Sequence, residues 1–264
     1  QHAHVLVVAV PSSAFRSTLE LAKPYVHPWI PVVSLTKGFE QGSMLRMTEV
    51  IEDVLPGHPV AALSGPNIAK EIMSGLAAGS VIATKDAQVG AALQAVFQRG
   101  LFRVYTNHDV VGCEIGGALK NVVAIATGMG EGLSAGDNTR SAVISRGLAE
   151  LTRLGEAMGG EAATFAGLAG LGDLLTTCMS PHSRNRYVGE QLGRGRTLDD
   201  ILDEMHMVAE GVKTTRSTAV FADRYGLDLP IFRSVEGVID GKSTAAEAYG
   251  GLLRIQPGHE NQPG

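Results

Sequence analysis

From His4 to Tyr105, short apolar runs alternate with segments whose apolar residues recur at helical spacing. Runs that are apolar on both faces read as buried strands, and the periodic segments as helices laid over them. The pattern predicts strands at residues 4–10, 32–36, 60–64, 80–84 and 101–105. Between them it predicts a helix with Ala14, Phe15, Thr18, Leu19 and Ala22 as its stripe, stopped before Pro24, and a second from Ser43 with Met44, Met47, Ile51 and Val54 on one face. A short helix follows Pro66, and a fourth runs from Asp86 to Gly100 with Val89, Leu93, Val96 and Phe97 inward. Strand and helix in alternation imply a parallel, doubly wound α/β sheet.

Past Asn107 the alternation stops, and the rest reads as helices joined by glycine-rich turns, at 110–133, 141–158, 168–179, 184–192, 197–205 and 212–225. The expected organisation is therefore a parallel-sheet domain over 1–109, an all-helical domain over 110–255, and a polar, proline-containing tail over 256–264 with nothing to bury. An apolar strand so close to Gln1, with no initiator methionine, reads as a chain whose front is truncated.

The longest helical run, VVGCEIGGALKNVVAIATGMGEGL, holds a single basic residue, Lys120. At helical spacing its face is shared by Cys113, Gly116, Gly117, Ala124, Thr127 and Glu131, which are mostly small. Each glycine costs a helix up to about 1 kcal/mol, so their clustering points to close approach of a ligand or of another backbone. The plainer alternatives are a lysine that snorkels to the surface or pairs with Glu114.

Composition narrows the class. A chain of 264 residues can build a substantial core in one large domain or two ordinary ones, and its net charge of -5 without a basic run argues against a nucleic-acid groove or an anionic membrane surface. Cys113 and Cys178 belong to no CxxC or His/Cys cluster, so neither a metal site nor a disulfide framework is implied, and a reducing cytoplasm is the default. No signal peptide is seen, and Lys120 and Glu114 interrupt the best bilayer-spanning stretch.

Three further stretches gather polar groups at turns. In SLTKG, Lys37 sits just past a strand's carboxyl end, the edge at which parallel sheets bind ligands. In SGPNIAKE, Gly65 and Pro66 leave backbone N–H groups at a helix start that suit an anion, though Gly-Pro also simply makes turns. In GLAGLGDLLTTCMSPHSRNR, Asp173 lies among apolar residues with Thr177 one turn on, and Ser183, Arg184 and Asn185 open a helix. Guanidinium, hydroxyl, amide and helix dipole together suit a phosphate dianion. Equally, Ser183 is an ordinary helix cap and Arg184 an exposed first-turn residue.

Taken in this order and at these separations, VPSSAFR, SLTKG, SGPNIAKE, EIGGALKNVVAIATGMGEGL, GLAGLGDLLTTC, SRNR and VAEGV resemble the bacterial type of NAD(P)-dependent glycerol-3-phosphate dehydrogenase, from the first strand to about residue 255. The resemblance implies a Rossmann-like domain, a helical substrate domain, NAD or NADP as cofactor, and interconversion of sn-glycerol 3-phosphate and dihydroxyacetone phosphate for phospholipid synthesis. It puts the proton-transferring lysine at Lys120. Substrate contacts fall on Lys37, Gly65, Asn67, Lys120, Asp173, Thr177, Ser183, Arg184 and Asn185, and cofactor contacts on Pro11, Lys37, Ala69, Arg184, Val208 and Glu210. Asn67 stands where bacterial members usually carry Ser or Thr. On this reading burial and a neighbouring cation lower the Lys120 ammonium from about 10.4 towards neutrality, where it can give and take a proton.

The family opens with a glycine-rich turn of the GxGxWGTA kind, which these residues do not contain. A different dehydrogenase of the same plan, or a cofactor-dead module that only binds phosphate or oligomerises, therefore stays open, and a homodimer is compatible with either. No metal and no stable membrane insertion are expected.

Overall fold

A computed structural model describes residues 3–205 and 209–254, the side chains of 253 and 254 excepted. It divides into two compact units, residues 1–118 with 158–173, and residues 119–157 with 174–264. The expected boundary at 109/110 stands at the start of the helix Val110–Gly132, and the division between the units lies within that helix, at 118/119. The tail expected over 256–264 lies outside the described residues.

The first unit is built on five strands in sequential order, β1 (Leu6–Val8), β2 (Val32–Ser34), β3 (Val60–Ser64), β4 (Ala78–Ala83) and β5 (Phe102–Asn107). Pairs β1–β2, β2–β3 and β4–β5 are parallel as expected, whereas β3–β4 is antiparallel. The parallel pairs need crossovers, supplied by α1 (Phe15–Ala22), α2 (Met47–Val54) and, after β4, α4 (Ala87–Phe97). Between β3 and β4 stands only α3 (Ala69–Met73), one short turn, and the chain comes straight back. Side chains alternate across the sheet. Val32 packs with Phe15, Leu19, Met47 and Ile51 of α1 and α2, while Val33 joins Ala61, Leu63, Ile82 and Leu93 beneath α4.

Helix α4 starts one residue later than expected because the Asp86 carboxylate caps it, accepting from the Gln88 and Val89 amides. Helix α2 starts later still: Arg46 is its cap, and Glu49 reaches back to the Arg46 amide.

The remaining helices are α5 (Val110–Gly132), α6 (Gly136–Ala157), α7 (Ala162–Phe165), α8 (Asp173–Met179), α9 (Arg184–Gly193), α10 (Leu198–Glu204), α11 (Glu210–Tyr225), α12 (Pro230–Ile239) and α13 (Ala245–Arg254). Helix α5 has the length and apolarity to cross a membrane, as does the stretch Ala162–Met179, but 94% of the most apolar window in α5 is buried, the mark of a core helix. Leu168–Gly172, expected as the first turns of one helix with α8, is π-helical, with the Gly172 amide bonded to the Gly167 carbonyl. Helices α12 and α13 are not among those expected from the sequence, although Pro230 at the first position and the stripe Ile231, Val235, Val238 mark α12.

Within the second unit α5 and α9 meet backbone to backbone. Gly128 and Gly132 of α5 face Gly189 and Gly193 of α9, and a β-carbon at any of the four would collide with main-chain atoms of the facing helix. The glycines that look like helix breakers in the sequence are thus the contact surface of a close helix pair.

Candidate active site

Lys120 is 7% exposed, and its ammonium donates to the Thr177 hydroxyl at 2.7 Å. The snorkelling alternative is therefore wrong. So is the pairing with Glu114, whose carboxylate is taken elsewhere: Arg46 Nη1 donates to it at 2.5 Å, the Thr48 amide at 2.8 Å and the Thr48 hydroxyl at 2.5 Å. Burial pushes the Glu114 carboxyl up from the ordinary carboxylate range, while the guanidinium and the Thr48 bonds pull it back down. This cluster fixes the first half of α5 to the start of α2.

Lys37 follows β2 at the carboxyl edge of the sheet and meets three acceptors: Asp173 Oδ2 at 2.7 Å, the Gly65 carbonyl at 3.0 Å and Asn67 Oδ1 at 3.1 Å. An ammonium has three N–H donors, so all are engaged, and a ligand would have to displace one of these partners. Asp173 is 2% exposed, and the pair neutralises a carboxylate that could not otherwise be buried as an ion. Asn67 in turn donates from Nδ2 to Ser80 Oγ at 3.4 Å. Gly65 must be glycine. It holds φ +127°, and a β-carbon there would stand 3.1 Å from Gly79 O and Ser80 Cα of the neighbouring strand.

In the second unit Ser183 caps α9, its hydroxyl accepting from the Arg186 amide at 3.2 Å. Arg184 stands exposed in the first turn, which is the ordinary arrangement the sequence also allowed. Asn185 is buried, with Nδ2 donating to Asn121 Oδ1 at 2.9 Å and Oδ1 accepting from the Gly211 amide at 3.0 Å. Its amide therefore ties α5, α9 and α11 together. Asn121 is not among the residues expected from the sequence; it directly follows Lys120, and a buried amide beside the one lysine of so apolar a helix is the signal that marks it.

Thr177 lies one helical turn from Asp173 on α8. Among the expected cofactor contacts, Pro11 is exposed in the turn after β1, Ala69 is exposed at the start of α3, and Glu210 is the first residue of α11. Val208 lies outside the described residues. Cys113 and Cys178 are both buried and form no disulfide, and burial pushes the Cys113 thiol up to about 12.

A mostly parallel sheet with polar groups at its carboxyl edge, followed by helices that carry a buried lysine, is the build of a two-domain dehydrogenase or reductase. A ketopantoate reductase from Ralstonia eutropha shares this fold, with a TM-score of 0.55 at 16% identity over 94% of this chain and 78% of that one. The chain belongs to the NAD-dependent glycerol-3-phosphate dehydrogenase family: residues 1–90 match the family's N-terminal part and residues 109–250 its C-terminal part. A glycerol-3-phosphate dehydrogenase [NAD(P)+] from Sphingopyxis alaskensis is 59% identical over 99% of this chain and 79% of its own length. The crystal structure of glycerol-3-phosphate dehydrogenase from Coxiella burnetii superposes with a TM-score of 0.91 at 34% identity, covering 96% of this chain and 77% of that one.

Proposed function

We propose that the chain interconverts sn-glycerol 3-phosphate and dihydroxyacetone phosphate with NAD or NADP, in the cytoplasm, supplying the glycerol phosphate of phospholipids. Membership of the family and the 59% identity to a relative so named support the reaction. The observation that carries the residue assignment is the buried Lys120 ammonium, hydrogen-bonded to Thr177 from a long, mostly apolar helix in which it is the one basic residue.

The cofactor, when bound, supplies or accepts the hydride at substrate C2. β1, β2 and β3 are parallel and in register, so Pro11, Lys37 and Gly65 stand at one sheet edge, which suits the nicotinamide end of such a molecule. The backbone donors of a pyrophosphate turn are not among these 264 residues, where VPSSAF follows β1.

Lys120 holds the proton that moves on or off the C2 oxygen, and Thr177 aims its ammonium. Asp173, held by Lys37, orients the polyol end of the substrate, while Arg184 and the first turn of α9 take the phosphate. Phosphate binding used in this way fixes the carbonyl for transfer. Lys120→Ala is expected to abolish turnover while glycerol 3-phosphate affinity, read by calorimetry, falls only modestly. Turnover near the parent level would remove Lys120 from the chemistry.

A further inference from the structure

Lys37 lies directly along α5, and what it lies against is a position with no side chain. A β-carbon at Gly117 would stand 3.3 Å from Lys37 Cγ, 3.5 Å from Lys37 Cδ and 2.8 Å from Ser64 Oγ. These neighbours differ in freedom. The Ser64 hydroxyl has no hydrogen-bond partner among the described residues, so nothing but packing resists its rotation. Lys37 is held at both ends, by the loop after β2 and by the three acceptors of its ammonium. Gly116, its neighbour, serves another purpose: a β-carbon there would stand 2.7 Å from the Ala169 carbonyl oxygen, which is backbone and cannot rotate away.

We infer that Gly117 is a positioning residue for Lys37, the missing side chain leaving the groove that seats the lysine stem and keeps its ammonium on Asp173, Gly65 and Asn67. Glycine in mid-helix is a poor helix former, so alanine would serve α5 better if only the helix mattered. Its presence here is explained by the space it leaves. A methyl at this position pushes the stem outward by a few tenths of an ångström, and the three hydrogen bonds at its tip lengthen together. The inference rests on the reading in which Lys37 works on the substrate.

The test uses the full chain with Gly117→Ala, Ser64→Ala/Gly117→Ala, Gly116→Ala and Lys37→Ala. Three quantities are read: melting temperature, glycerol 3-phosphate affinity by calorimetry, and kcat and KM separately with NAD or NADP. Gly117→Ala is expected to melt at or above the parent temperature yet lose about tenfold or more in kcat/KM and in affinity, since misplacements of this kind are costly. Ser64→Ala in the same chain does not restore either. Gly116→Ala, which meets backbone, melts lower. The inference is overturned if Gly117→Ala keeps parent affinity and kcat/KM while Lys37→Ala loses them, if its loss follows a lowered melting temperature, or if Ser64→Ala restores function. Should Lys37→Ala itself leave affinity and turnover unchanged, the functional reading of Lys37 fails instead.

Discussion

The close crossing of α5 and α9 makes Gly189→Ala a demanding test of the packing. The added carbon would stand 2.8 Å from the Ile125 carbonyl carbon and 2.9 Å from the Met129 amide nitrogen, with the Ile125 oxygen nearer still. Carbon contacts settle at about 3.5 to 4.0 Å, so the helices must part by on the order of 1 Å. Overpacking costs about 1–3 kcal/mol, and the upper end applies because both partners are backbone with no rotamer to change. Against this stands about 1 kcal/mol gained by replacing a helical glycine, leaving a net loss of about 2 kcal/mol. For a chain of this size that lowers the melting temperature by about 4–8 °C. Because Arg184 and Ser183 open the displaced helix, kcat/KM should fall by about a hundredfold as well. Gly250→Ala on α13 is the control: nothing lies within 4 Å of its added carbon, so only the helix gain remains and the melting temperature rises. Thermal unfolding followed by circular dichroism reads both. If Gly189→Ala melts at or above the parent, moving in the same direction as Gly250→Ala, the backbone-to-backbone contact is not there.

Arg184→Ala should raise KM for glycerol 3-phosphate tenfold or more with a smaller change in kcat; an unchanged KM would count against phosphate binding at α9. Glu114→Ala takes a buried carboxylate from the Arg46 guanidinium, which keeps Glu49 at 2.8 Å, and should cost about 1–3 kcal/mol in urea unfolding; no measurable loss would mean the cluster is replaceable. Glu150 accepts from the Ile231 and Phe232 amides at the start of α12, and burial pushes its carboxyl up from 4.5 to about 7. The folded state then holds a proton that the unfolded chain releases, so this group's contribution to stability is full below about 4.5 and is lost as pH rises through about 7. Glu150→Gln, which never ionises, should flatten that slope; an identical pH–stability profile in parent and variant would show that Glu150 does not titrate there.

Most of what depended on local pattern was legible. The alternation of apolar runs marked all five strands, and the length and small, apolar content of 110–133 marked a buried helix. The antiparallel return of β4 was not legible, since a strand's own sequence says which faces it buries but not which way its neighbour runs. The two readings offered for the clustered glycines of α5, ligand or backbone, are separated by what stands opposite each. Gly116, Gly128 and Gly132 meet main chain, whereas Gly117 meets two side chains.

Partners were the hardest to foresee, for a simple reason of distance along the chain. The acceptors of Lys37 are 28, 30 and 136 residues away, and the partners of Glu114 are 66 and 68 residues away. Residue type singled out Lys37, Asp173 and Asn185, each of which could have met a ligand or another side chain, and offered Glu114 only as a partner for Lys120. The structure gives all four protein partners, and this sharpens what a substrate must do. On the proposed reading, a substrate at Lys37 competes with an acceptor already in place. Lys120 is held differently, by a threonine hydroxyl that accepts from it and can also donate. On the proposed reading, a neutral, rotatable hydroxyl can orient the ammonium and follow it as it exchanges a proton with the substrate.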